Sequence, residues 1–236
     1  MDTLERLSNA INSKLKLDSF SHEFYYNSIA LCMIDALFSI GVKYTGVKKL
    51  VEKFCEHEGI VDYRYDSFPE SIENEYTVQK LIDFYNREKN DYEHIAKNVY
   101  QNNWHTSSNN GILKAQAVYD FALVLKQYNV CKMADVLAMY ENEEFNNAVK
   151  AVKGQSSGIM LKYFYMLCGK KDIIKPDRHI IEFIRESTGE DVKRDHEYAL
   201  KLIEDYVAAE NQKGKNYTCG FVDGAIWKYM SGKKKS

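Results

Sequence analysis

Proline is almost absent from this chain: 236 residues hold only Pro69 and Pro176. No stretch is rich in glycine, serine or proline, which excludes a long flexible linker and a low-complexity segment. Net charge is small too, at −2. That balance excludes the strongly basic composition of a protein that holds nucleic acid by bulk charge. The cysteines (Cys32, Cys55, Cys131, Cys168, Cys219) are odd in number and form no C-x-x-C pair. They predict core thiols in a reduced compartment rather than a disulfide framework. The six histidines show no H-x-x-x-H spacing, so no metal site is expected. No apolar run reaches bilayer length, and the opening M-D-T-L-E-R-L lacks the apolar core of a signal peptide. These absences predict a soluble, cytoplasmic protein. Period-two alternation is also missing beyond four residues, which removes the usual sign of a half-buried strand.

What is present is helical periodicity over a chain that is 45% apolar. Leu4, Leu7, Ile11 and Leu15 recur at a helical period. A helix is expected from about His22 to Ile40, capped by Ser21. Its centre, Ile29 to Phe38, is apolar all round apart from Asp35, the pattern of a buried helix. Residues 44–57 are amphipathic and stop at Gly59. Residues 60–72 read as irregular, and 102–111, N-N-W-H-T-S-S-N-N-G, as a loop. Further helices are expected over 77–86, 91–100, 112–128, 132–140, 143–152, 157–167, 177–186, 195–209 and 217–230. The sum is an all-α chain of eleven or twelve helices in two lobes. One lobe spans about 42–150 with a hairpin following. The other joins the N-terminal 1–41 to the C-terminal 177–236.

Charge is concentrated where the whole-chain figure hides it. From Lys150 to Arg178 stand seven basic residues and two acidic ones, a local net of +5. The same block opens on a small-residue turn, Gly154-Gln155-Ser156-Ser157-Gly158, continues through an apolar helix to Gly169, and ends at Lys175-Pro176-Asp177-Arg178-His179. A solvated lysine surface and an anion-binding surface both fit that charge.

This block resembles the helix–hairpin–helix and Gly/Pro-Asp motif of the HhH-GPD superfamily, the base-excision DNA glycosylases related to endonuclease III. The family's hairpin reads roughly L-P-G-V-G-R-K-T-A, and V-D-T-H begins a later helix. Here Val152-Lys153-Gly154-Gln155-Ser156-Ser157-Gly158-Ile159-Met160 occupies the hairpin, and Lys175-Pro176-Asp177-Arg178-His179 the later position. Upstream, Ala36 to Gly41 falls where the family has a helix ending L-S-Q-Q-T. Asn110 to Ala115 is similar to its G-x-x-x-x-K-A helix start. In order and spacing the resemblance covers roughly residues 25–190. The chain departs from the pattern at Ser156, at Ile40-Gly41 in place of the Gln-Gln pair, and at Gly158 in place of the lyase lysine. The C-terminal four-cysteine loop has no counterpart. The resemblance therefore implies no Schiff-base lyase chemistry, no iron–sulfur cluster and no other cofactor.

The implied activity is hydrolysis of the N-glycosidic bond of a damaged base flipped out of duplex DNA. The implied alternative is a DNA-binding module that keeps the fold without catalysis. For the first, Asp177 is the expected catalytic carboxylate, set against the developing sugar cation. As an Asp opening a helix after proline it also reads as a plain N-cap, and the two roles are compatible. Lys153, Gly154, Gln155, Ser156, Ser157, Gly158 and Lys162 are expected to hold DNA phosphate through backbone N–H groups and lysine charge. An ordinary helix connection with glycine caps fits the same residues. Asp35 and Tyr163 are candidates for the base pocket, with structural pairing the competing role for a buried Asp.

Overall fold

The computed structural model describes residues 2–19, 25–69, 72–193 and 195–233. Its helices, in chain order, are α1 (Thr3–Lys14), α2 (Ile29–Phe38), α3 (Tyr44–Glu58), α4 (Val78–Arg87), α5 (Tyr92–His94), α6 (Lys114–Gln127), α7 (Met133–Val136), α8 (Glu143–Ala151), α9 (Ile159–Leu167), α10 (Arg178–Thr188), α11 (His196–Gln212) and α12 (Cys219–Gly232). A π-helical turn, Ile95–Val99, continues α5. Two strands of two residues, β1 (Tyr25–Tyr26) and β2 (Arg64–Tyr65), pair antiparallel. The fold is all-α, and no described helix is long and apolar enough to cross a membrane.

Most expected helices form within a few residues of the expected bounds, because their buried positions follow the 3.6-residue period. The largest difference lies at α2. Ser21 and His22, the expected cap and first residue, lie outside the described residues. Tyr25 and Tyr26 are extended and pair with β2, and the helix starts only after Ser28. Its first amide is capped from a distance. One oxygen of the buried Glu75 accepts the Ile29 N–H at 3.0 Å and the Met133 N–H at 2.8 Å. A single carboxylate thus serves the starts of α2 and α7, where amides would otherwise be orphaned. β2 falls inside the segment expected to be irregular.

The chain divides into two compact units. The central unit, Phe24–Gly169, is built around α2, all ten of whose residues are buried. Helices α9, α6, α3 and α4 pack on it, as a helix apolar on every side requires. Phe121 of α6 meets Phe164 of α9 edge-on at 5.0 Å. The Tyr85 hydroxyl donates to the Ala115 carbonyl at 2.6 Å, tying α4 to α6.

The terminal unit, Met1–Glu23 with Lys170–Ser236, closes α1, α10, α12 and α11 into a ring in which each helix packs on two others. Leu7, Ile11, Phe183, Ile203, Tyr206, Val222 and Ile226 lie in its core. The Tyr206 hydroxyl donates to Asn12 Oδ1 at 2.8 Å. The division falls at 23/24 and 169/170, whereas the expected lobes are about 42–150 with the hairpin following, and 1–41 with 177–236. The all-round apolar surface of α2 places it among the central helices, not with the termini.

Candidate functional site

The hairpin of the central unit lies between α8 and α9. Two consecutive turns build it: the Gln155 N–H donates to the Val152 carbonyl at 2.9 Å, and the Gly158 N–H to the Gln155 carbonyl at 3.1 Å. Gly154 has φ +88° and Gly158 φ +71°, the left-handed region that favours glycine. Space adds a second demand at Gly154. A Cβ there would sit 2.5 Å from Cβ of Thr106, in the polar loop 102–111. Lys153, Gly154, Ser156 and Ser157 are exposed, Gln155 and Gly158 buried, and Lys162 half-buried one turn into α9. Ser157 Oγ accepts the Ile159 N–H at 3.4 Å. The stem of Lys150 crosses Gly158, its Cε 3.2 Å from where a Cβ would be. The turn therefore brings small exposed residues, a helix start and lysines together, the chemistry that suits an anion.

The two upstream stretches of the resemblance meet in the same unit. Lys114, 2% exposed, donates its ammonium protons to the carbonyls of Phe38 at 3.0 Å and Ile40 at 2.7 Å. It caps the C-terminal end of α2 with a positive charge, the favourable sign there.

Asp35 is completely buried and saturated with hydroxyl donors. Tyr26 at 2.7 Å and Tyr44 at 3.0 Å donate to Oδ2, and Ser39 at 2.7 Å donates to Oδ1. Burial first, then the charges of Asp35 and Tyr44, raise the Tyr26 pKa, with Tyr163 the last contributor. The three bonds give Asp35 a structural role, since they offset the desolvation of its carboxylate.

Asp177 belongs to the terminal unit and caps α10. Its Oδ1 accepts the His179 N–H at 2.8 Å and the Ile180 N–H at 3.4 Å. Ahead of it the Asp177 N–H closes on the Lys175 carbonyl at 2.6 Å across Pro176. The ring of His179 meets Trp227 edge-on at 6.3 Å. Burial lowers the His179 pKa, with Arg178 and Lys175 adding to the effect and Asp177 opposing it.

One acidic residue here escaped the sequence reading. Asp223 of α12 is 6% exposed, and its Oδ2 accepts the Lys175 N–H at 2.7 Å. Burial first, then the charge of Asp177, push its carboxyl up to about 8, while the Lys175 N–H and ammonium pull it down. The signal was available: an Asp among Val222, Ala225 and Ile226 stands alone in an apolar helix, as Asp35 does. Among the described residues no group of three or more His, Cys, Asp and Glu is placed to hold a metal ion.

The fold class is thus all-α, with a glycine hairpin in one unit and a helix-capping aspartate in the other. Residues 5–231 match the family described as Domain of unknown function (DUF8548), and the chain belongs to that family. No curated protein and no solved structure gives a match.

Proposed function

We propose that the protein binds duplex DNA through the 153–158 hairpin and hydrolyses the N-glycosidic bond of a damaged base, with Asp177 as the catalytic carboxylate. The observation that carries the reading is the hairpin: two left-handed glycines between α8 and α9 hold Lys153, Gly154, Ser156 and Ser157 at the surface. Backbone can approach a phosphate closely there, and the adjoining helix start and lysines supply the right sign of potential.

In the reaction the bond from sugar C1′ to the base nitrogen breaks with its electron pair leaving on the base. Water adds to C1′. Its proton passes to the Asp177 carboxylate and then to the departing base. The carboxylate also stabilises the cationic sugar as charge develops. The amides of His179 and Ile180 fix the side chain beforehand, so little is lost in orienting it. Gly158, at the place of the family's lyase lysine, has no amine to form a Schiff base, which favours simple hydrolysis over lyase chemistry.

A binding module without catalysis is the second reading, favoured by Ile40-Gly41 at the place of the Gln-Gln pair. A panel of duplex oligonucleotides, each with one altered base, separates the two. The glycosylase reading expects release of at least one base, and an Asp177→Asn variant that binds the same duplex but releases base about 10²- to 10⁴-fold more slowly. Undiminished release by that variant would sink the role of Asp177. Salt-sensitive binding without release by the wild type would establish the module, and no binding at low salt would remove both.

A further inference from the structure

We propose that Asp223 is the positioning residue of Asp177: from α12 it holds the Lys175-Pro176-Asp177 turn that presents the candidate catalytic carboxylate. This rests on the reading of Asp177 given above.

Two hydrogen bonds through Lys175 connect the two aspartates. Lys175 precedes α10, so its N–H has no partner within that helix, and it donates to Asp223 Oδ2 at 2.7 Å. The Lys175 carbonyl accepts the Asp177 N–H at 2.6 Å. Pro176, between them, has its φ fixed by its ring. Asp177 Oδ1 then accepts the amides of His179 and Ile180. The start of α12 is tied to the same segment, for the Gly220 N–H donates to the Lys171 carbonyl at 2.8 Å. Remove the Asp223 acceptor and the first residue of the turn loses this bond to α12.

An aspartate is an expensive acceptor at a site this buried, because its charge must be desolvated. The neutral acid avoids that cost. Burial and the neighbouring Asp177 raise the Asp223 carboxyl to about 8, so near pH 7 most of it carries a proton. In that form it accepts the Lys175 bond without adding a second negative charge beside Asp177. Asparagine has the same shape, is neutral and keeps one acceptor oxygen, whereas alanine has none. The two variants therefore separate the hydrogen bond from mere occupancy of the core.

The test uses the full chain with Asp223→Asn and Asp223→Ala. NMR hydrogen exchange reads the Lys175 amide directly. The expected result is exchange about tenfold faster or more in the alanine variant and protection kept in the asparagine variant. In the wild type the Lys175 amide frequency should titrate with a midpoint of about 8, and in Asp223→Asn it should stay flat. On an oligonucleotide from which the wild type releases base, alanine should lower kcat about 10²-fold with KM unchanged, and asparagine should restore most of it. An unchanged Lys175 amide in the alanine variant would overturn the proposal, as would an asparagine variant as impaired as alanine. Should alanine fail to fold, the asparagine variant and the wild-type titration decide. If the wild type releases no base at all, the catalytic reading of Asp177 falls, and Lys175 exchange alone judges whether Asp223 holds the turn.

Discussion

The ammonium of Lys114 donates to the carbonyl of Ile40 at 2.7 Å, closing the end of α2 from the start of α6. A second bond reaches Phe38 at 3.0 Å. The lysine has paid for this by leaving water, being 2% exposed, so two effects compete when it is replaced. Methionine relieves the buried charge but leaves two carbonyls without that donor. Hydrogen bonds from charged groups are worth about 1.5–3 kcal/mol each, and an orphaned buried acceptor costs about 1–3 kcal/mol. The second effect wins, and Lys114→Met is expected to lower stability by about 2–4 kcal/mol. Urea denaturation checks it; a midpoint equal to wild type would mean the cap contributes nothing.

Glu58 ends α3 with three donors around one carboxylate. Arg87 reaches it at 2.7 Å and Tyr76 at 2.5 Å, with the His57 ring at 3.0 Å. Burial opposes its ionisation, but the bonds from Arg87, Tyr76 and His57 outweigh that and hold its pKa below the ordinary glutamate value. A carboxyl whose folded pKa is depressed adds stability above its unfolded pKa, and that stability is lost as pH falls through the folded value. The window is therefore acidic: the contribution is complete by about pH 5.5 and fades below about pH 4. Glu58→Gln should flatten the acid limb of stability while leaving its shape near neutrality unchanged. Urea midpoints measured from pH 3 to 7 would show this, and an equally steep acid limb in the variant would exclude Glu58 as a contributor.

The same chain shows why some of this was legible in its sequence and some was not. Helices such as α10 could be read because Ile180, Ile181 and Ile184 recur near the helical period, and Ile180 and Ile184 are buried. Gly154 and Gly158 could be read as a hairpin because residues with side chains are strained at their φ. The start of α2 could not be read, because its cap comes from Glu75, 46 residues away in a polar segment with no pattern of its own. Asp223 met Lys175 across 48 residues, and no local rule pairs them. The N-terminal edge of the central unit is hard to read for a related reason. An all-apolar helix announces that it is central, but not which helices surround it.

Gly154 and Lys153 are neighbours with separable jobs. Gly154→Ala puts a Cβ into Thr106 and a side chain at φ +88°. The loss of stability should be about 1–3 kcal/mol, and DNA binding should weaken because the turn deforms. Lys153 is exposed, so Lys153→Ala should leave the unfolding midpoint within about 0.5 kcal/mol of wild type. If its ammonium neutralises one phosphate, the slope of log affinity against log salt should shrink by about one. Titrations of both variants at several salt concentrations, beside their denaturation curves, separate the effects. An unchanged slope in Lys153→Ala would remove that lysine from the interface.

Asp177 has a structural duty that must be divided from any chemical one. As the N-cap of α10 it satisfies two amides through one oxygen. Asparagine caps helices about as well as aspartate, whereas alanine costs about 0.5–2 kcal/mol. The caps predict a stability order: wild type and Asp177→Asn close together, Asp177→Ala lower by about 1 kcal/mol. Base release predicts a different order, with both variants slowed alike, because neither amide nor methyl can take a proton from water or face a sugar cation as an anion. Asp177→Asn is therefore the informative variant: it keeps the cap and removes the charge. Thermal melts and single-turnover base release on the same preparations would place each variant on both scales. If activity followed stability, falling in alanine and surviving in asparagine, Asp177 would be a helix cap and nothing more.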